Sequence, residues 1–283
     1  MSEFPGIFRL EIGIYADKLV KWLQLNFEHV FDSMTASILW FLLKIETFLL
    51  FLPWWLVLIL IFLLGYKLKN LKSGLLYSLL IFLIGTFGLW ESTMITLAIV
   101  LTSVVISLIL GIPTGILMAY SERTSAIIRP ILDAMQTMPS FVYLIPAIML
   151  FGLGKVPAVF ATTIYALPPL IRITDLGIRN VSKEMVEAAH SFGSSFWQIL
   201  IKIQLPQAFP TIMTGINQTT MMALAMVVIA SMIGASGLGL AVLRSIQRID
   251  IAKGFEAGIS IVFLAIVIDR LLQAAMYKYK YPK

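Results

Sequence analysis

The sequence predicts an all-α integral membrane protein: about seven transmembrane helices, preceded by an N-terminal amphipathic helix in the membrane interface. Composition points there first. The chain is 59% hydrophobic and 13% charged, with mean hydropathy +0.94, whereas soluble domains carry about 25% charged residues. Alternating apolar and polar residues are absent, which argues against a β-barrel and for a helical bundle. Apolar runs of membrane-crossing length then recur along the chain.

Residues 1–46 read as one N-terminal segment. Glu3 and Glu11 stand where a cleaved signal would be basic, and no apolar run precedes residue 36. Over residues 7–34, Leu19, Leu23, Phe27, Val30 and Met34 recur at helical spacing. Asp17, Lys18, Lys21, Gln24, Glu28 and Asp32 cover the other side, a pattern that suits a helix lying in the interface. Residues 36–43 are apolar but too short to cross, and Lys44 and Glu46 interrupt them.

The expected spans are 47–65, 73–90, 93–120, 131–152, 157–175, 208–235 and 255–276. The first two form an additional pair, residues 47–90; residues 91–276 form the main bundle, and 277–283 a basic tail. Lysines 67, 69 and 72, Arg123 with Arg129, Lys183 with Lys202, and the tail lysines fall on one side under strict alternation. The positive-inside rule makes that side cytoplasmic, with the N-terminus outside and the C-terminus inside a multi-pass cell-membrane protein. Arg244, Arg248 and Lys253 dissent. Trp54, Trp55 and Trp90 sit where an outer aromatic belt belongs.

Several chemistries are excluded. There is no cysteine, hence no disulfide framework, thiolate metal site or cysteine nucleophile. The two histidines suggest no metal site or catalytic triad. A net charge of +6 without a basic stripe does not predict nucleic acid as a partner. No G-x-x-x-x-G-K-[ST] occurs, so the chain binds no nucleotide of its own and has no cofactor. Intramembrane charge is sparse: Arg172 and Asp175 near one end of a span, Asp269 and Arg270 deeper in the last. That is a poor basis for a self-powered pump. Energy must come from a partner.

The core does contain points where helices break. Met138-Pro139, Pro146, Pro157 and Pro168-Pro169 interrupt the fourth and fifth spans, and Gly111, Pro113 and Gly115 the third. Gln136, Met138, Pro139, Asn217, Gln218 and Thr219 are candidates for a translocation pathway or hinge. The polar ones serve equally well as helix-to-helix hydrogen-bonding groups.

One interval is polar and punctuated, the hairpin of residues 183–206. Ser182 is placed to cap a helix in which Met185, Ala188, Ala189 and Phe192 share one face, with Glu184, Glu187 and His190 opposite. Gly193 ends it, Ser195 and Gln198 form a capping box for a second helix, and Leu205-Pro206 stops that one. Glu187-Ala188-Ala189, three residues, Gly193, nine residues, then Ile203-Gln204-Leu205-Pro206 resembles the EAA loop of ABC-importer permeases, with each fixed position filled.

Residues 130–154 and 215–239 extend the likeness to permease subunits of glycine betaine/proline betaine ABC importers, across roughly residues 90–275. The resemblance implies a type I importer permease core and a non-catalytic subunit of an osmoprotectant importer. Its implied partners are an ATP-binding subunit that uses ATP and Mg, a separate extracellular substrate-binding protein, a second permease copy and membrane lipids. It further implies that Glu187, Ala188, Ala189 and Gly193 couple to the ATPase while Ile203, Leu205 and Pro206 anchor the return to the membrane. The alternatives are a permease for another small solute, such as an amino acid or polyamine, and a secondary transporter.

Overall fold

The computed structural model describes residues 12–280, which fold almost entirely as helices; the expectation for the N-terminal leader lies outside them. Helix α1 spans Ile12–Phe51, with one non-helical residue at Phe27 (φ −123°, ψ 23°). It runs through the expected boundary at 46/47, so the span expected at 47–65 is cut in two. The break falls at Pro53 because proline lacks a backbone donor and disfavours α geometry in the residue before it. Lys44 and Glu46 do not end the helix. Glu46, only 9% exposed, meets Lys155 Nζ through both carboxylate oxygens at 2.7 Å, so its charge is buried as a pair.

Helices α2 (Trp54–Leu68) and α3 (Leu71–Thr86) have 15 and 16 residues, short for a bilayer of about 30 Å. They form a tight hairpin. A Cβ on Gly65 would lie 2.8 Å from Gly74 Cα, and the Asn70 side chain caps α3 by accepting from Ser73 N at 2.8 Å.

Helix α4 (Trp90–Tyr120) is followed by α5 (Glu122–Thr137), a 3₁₀ turn (Ser140–Tyr143) and α6 (Leu144–Phe151). The expected span 131–152 is not a single rod: the chain bends by 111° between α5 and the segment Ser140–Phe151. Met138 takes an extended conformation (ψ 134°), as a residue before proline prefers, and Pro139 completes the corner.

The other predicted break points stay helical. Pro113 lies inside α4, and Pro157 and Pro168-Pro169 inside α7 (Lys155–Arg179). Gly111 and Gly115 mark close packing instead. A Cβ on Gly115 would stand 2.6 Å from Thr174 Cβ and 2.7 Å from Ile171 O, so α4 and α7 approach as small-residue membrane helices do.

The chain continues through α8 (Lys183–Ser191), α9 (Phe196–Ile199), a π turn (Leu200–Gln204), α10 (Leu205–Ala230), α11 (Leu238–Arg248) and α12 (Ile251–Lys280). Helix α7 is wedged between α4 and α10, α12 packs on α10 and α3, and α1 lies against α4. Among the described residues five segments are long and apolar enough to cross a membrane, Gly13–Phe51, Trp90–Tyr120, Lys155–Arg179, Phe196–Ile233 and Ile251–Tyr277. The bent pair makes a sixth. Against the expected seven, α2 and α3 fall short individually, while α1, expected to lie in the interface, is itself long and apolar enough to cross.

The helices also sort the charges. Glu122, beginning α5 just after α4, meets Arg179 at the end of α7, so α4 and α7 finish at the hairpin end. Thr214 contacts Met276, which brings the end of α12 to the same level as the start of α10. Trp54, Gly85 and Trp90 line one cavity, so α2 begins and α3 ends at the opposite end. The Lys67–Lys72 turn, Arg123, Lys183 and the end of α12 therefore share the hairpin end.

Candidate coupling hairpin and pathway

The hairpin is built from local caps. Ser182 Oγ accepts from Met185 N at 3.2 Å and donates to Glu184 Oε2 at 2.6 Å. That hydroxyl holds the Glu184 carboxyl below the usual carboxylate range, with its own backbone amide and Lys183 adding to the effect. Gly193 has φ +74°; its N donates to His190 O at 2.9 Å and Ser194 N to Ala189 O at 3.0 Å. These two bonds are a Schellman motif, which requires a left-handed residue at this position. Ser195 and Gln198 then exchange the two bonds of a capping box, at 2.8 and 3.4 Å.

Leu205-Pro206 does not stop the second arm, contrary to expectation. Leu205 N bonds to Leu200 O, five residues back, and this π turn widens the helix where Pro206 would otherwise clash. Pro206 falls in the first turn of α10, where its missing donor costs little. The returning arm is therefore continuous with a membrane span, and a push on α9 is a push on α10.

The faces also differ from the sequence pattern. Val186 turns inward, against a cluster of Ile178, Val181, Leu200, Ala208 and Ile212 that also holds Ile203 and Leu205, and Ala189 is buried as well. Glu187, Ala188, Gly193 and Pro206 are exposed. Met185 is 51%, Phe192 89% and Trp197 64% exposed. The hairpin thus presents large apolar side chains, small Ala188 and the carboxylates of Glu184 and Glu187 on one protruding surface, the composition of an interface rather than a loop.

Gln204, the variable position of the loop pattern, is 8% exposed and accepts from the Tyr120 hydroxyl at the end of α4. Neither residue had a sequence signal beyond being polar near an apolar run. Arg179, the last residue of α7, donates to Asp175 Oδ1 and Met118 O, each at 2.6 Å, and pairs with Glu122. It too was missed, because Met118 and Glu122 lie far away in sequence.

The pathway candidates divide into two groups. Gln136, Met138 and Pro139 are exposed at the α5–α6 bend. On α10, Asn217 donates to Asp269 Oδ1 at 2.9 Å, Thr219 is fully buried with no partner for its hydroxyl, and Gln218 is exposed. Gln273 also donates to both Asp269 oxygens at 2.8 Å. Asn217 therefore stitches α10 to α12, which is the helix-to-helix role. The 3₁₀ turn of the bend touches α10, so the groups are linked through one element without direct contact being shown. Among the described residues no three His, Cys, Asp or Glu side chains converge as a metal site.

Comparison with known proteins follows this geometry closely. Residues 111–277 match the family described as "binding-protein-dependent transport system inner membrane component". The glycine betaine/carnitine transport permease protein GbuB of Listeria monocytogenes is 48% identical, across 98% of this chain and 99% of its own length. The glycine betaine transport system permease protein OpuAB of Bacillus subtilis is 43% identical, across 99% and 98% respectively. The glycine betaine/proline betaine permease ProW of Escherichia coli is 46% identical over 90% of this chain and 72% of its own length. Among solved structures, a chain of the inward-facing MetNI methionine ABC transporter superposes with TM-score 0.61. It is 20% identical, covering 65% of this chain and 93% of that one. That identity speaks to fold alone, and the fold is that of a type I importer permease. A multi-pass membrane bundle, a protruding capped hairpin and these relatives lead to one conclusion: the chain belongs to the family of binding-protein-dependent transport system inner membrane components.

Proposed function

We propose that this chain is the membrane-spanning subunit of an ATP-driven importer of quaternary-ammonium osmoprotectants of the glycine betaine type. The observation that carries the reading is the hairpin: a rigidly capped element with exposed Met185, Phe192 and Trp197 whose return arm runs unbroken into α10. Such an element suits a handle for a separate ATP-binding subunit, which uses ATP and Mg. The relatives named above carry betaine, and in one case carnitine, in their descriptions.

In this reading a separate extracellular substrate-binding protein delivers the solute, and two permease copies form the pathway, one hairpin for each of two ATPase subunits. Lipids contact the outward-facing apolar surface. ATP binding draws the ATPases together, and each hairpin tilts α7 and α10 as a rigid body. The hairpin end is cytoplasmic, supported by the basic groups collected there, and so is the C-terminus. The sequence pattern puts the N-terminus outside with the first part of α1 against the membrane, whereas α1 as a single crossing helix that ends beside Lys155 puts it on the hairpin side; labelling of a Glu28→Cys variant from the cytoplasmic side only would favour the second.

The decisive experiment is uptake of labelled glycine betaine into vesicles holding the permease, ATPase and binding protein, with and without ATP. ATP-dependent accumulation is expected. Accumulation without the ATPase would favour a secondary transporter, and uptake of an amino acid or polyamine in place of betaine would reassign the solute.

A further inference from the structure

Helix α5 is joined to α7 by an antiparallel ladder of ion pairs. Glu122 meets Arg179, Arg129 meets Asp175 at 3.3 Å, and Asp133 meets Arg172. The order descends α5 as it climbs α7, and the sign alternates from rung to rung. Beneath it lies only a small apolar cluster of Met118, Leu132 and Ile171, flanked by Ile128, Met135 and Leu167. The rungs differ in depth. The Asp175 side chain is 7% exposed and shared by Arg129 and Arg179, whereas those of Asp133 and Glu122 are 65% and 80% exposed.

The ladder's position matters more than its stability. Exposed ion pairs contribute little to folding, but alternating signs admit one register: a shift along either helix sets like charges opposite each other. One end of the ladder is Arg179, three residues before the Ser182 cap of the hairpin; the other is Asp133, five residues before the Met138-Pro139 corner. We propose that this ladder is the transmission rod between hairpin and corner. It locks α5 to α7 in one register, so that tilting of the hairpin carries the bend at Gln136, Met138 and Pro139 with it. Asp133 and Arg172 are positioning residues that act through the bend. The proposal rests on the reading of the hairpin as the coupling element.

The test uses the whole reconstituted complex and reads solute moved per ATP hydrolysed. Asp133→Arg places two cations face to face at an exposed rung, so uptake per ATP should fall roughly tenfold, the scale of a typical coupling change. The swap Asp133→Arg with Arg172→Asp should restore it. A merely structural role would instead lower and restore the melting temperature together with uptake. A second arm does not depend on charge. Asp133→Cys with Arg172→Cys should be weakly coupled as free thiols and recover when a short bifunctional thiol reagent replaces the ionic rung by a covalent one. The proposal is overturned if Asp133→Arg couples like wild type, if the swap stays defective, or if cross-linking abolishes uptake, since α5 must then slide on α7. Wild-type complex that hydrolyses ATP without accumulating betaine would instead refute the solute assignment. Spin labels at Gln136 and His190 still test the ladder in that case, since their separation should stay constant between nucleotide-free and ATP-bound states.

Discussion

Gly193 allows a prediction whose size follows from one conformation. Its φ is +74°, and a Cβ built on it meets nothing within 4 Å. A substitution there therefore costs no packing, only the backbone penalty of a left-handed residue, about 1–2 kcal/mol for an L-amino acid. Alanine should sit near the bottom of that range and β-branched valine near or above the top. Asparagine visits this region readily and should cost least. At 1.4 kcal/mol per tenfold, opening of the α8 terminus should become about fivefold more frequent with Gly193→Ala and about thirtyfold with Gly193→Val.

The amides to watch are those that close the cap, Gly193 N to His190 O and Ser194 N to Ala189 O. Hydrogen exchange on the purified permease reads their protection directly. The same series measured as ATP-driven uptake should follow the same order, because a docking element that is partly unfolded binds its partner in proportion to its folded fraction. Equal protection in the alanine, asparagine and valine variants would refute the reasoning, since the left-handed backbone would then not be what holds the turn. Protection lost in that order with uptake unchanged would separate the cap from coupling.

Other outcomes follow from the same coordinates. Replacing Phe192 and Trp197 by serine should weaken binding of the ATPase subunit at least tenfold without lowering the melting temperature, because both side chains are largely exposed; affinity capture and thermal unfolding check the two halves. Gly115→Leu should destabilise by roughly 1–3 kcal/mol or more through overpacking against Thr174 and Ile171, while Gly258→Ala, with nothing within 4 Å, should be near neutral. Glu46→Gln leaves Lys155 without its anion and should cost about 3–5 kcal/mol in detergent-solubilised protein, whereas Glu46→Leu with Lys155→Met should recover most of it. The lowered Glu184 carboxyl adds stability to α8 above the ordinary glutamate range; that contribution is lost as pH falls through the folded value, so α8 amides should lose protection as pH falls below that range. The loss should shrink in Ser182→Ala, whose hydroxyl is the largest cause of the shift.

The hairpin was the most legible part of the chain. Its cap, Schellman glycine and capping box each use partners within six residues, so residue type and spacing suffice to specify them. The spans from Trp90 onward were legible for a similar reason, because bilayer thickness imposes a length on any apolar run. The corner at Met138-Pro139 could be read as well, but only as one of several proline sites. Pro113 and Pro168-Pro169 carry the same local signal and remain helical within the tight packing of α4, α7 and α10, while Pro157 falls in the first turn of α7, where a missing donor costs little.

What the sequence by itself determined is therefore local and repetitive: a helical membrane protein, its basic ends, and a capped loop of a recognisable pattern. Tertiary structure alone decided which side chains meet. Glu46 interrupts an apolar run in sequence yet stays buried in a long helix, because Lys155 arrives from 109 positions away to neutralise it. Arg172 and Asp175 look like two snorkelling charges until α5 folds back and supplies Asp133 and Arg129. Ala188 and Ala189 share a face on a helical wheel, and only the fold, with Val186 packed onto the α7–α10 base, buries Ala189 and leaves Ala188 exposed. The physical reason is common to all three. A charge or an alanine is indifferent to its sequence neighbours, and its role is set by whatever non-local group the fold places within reach.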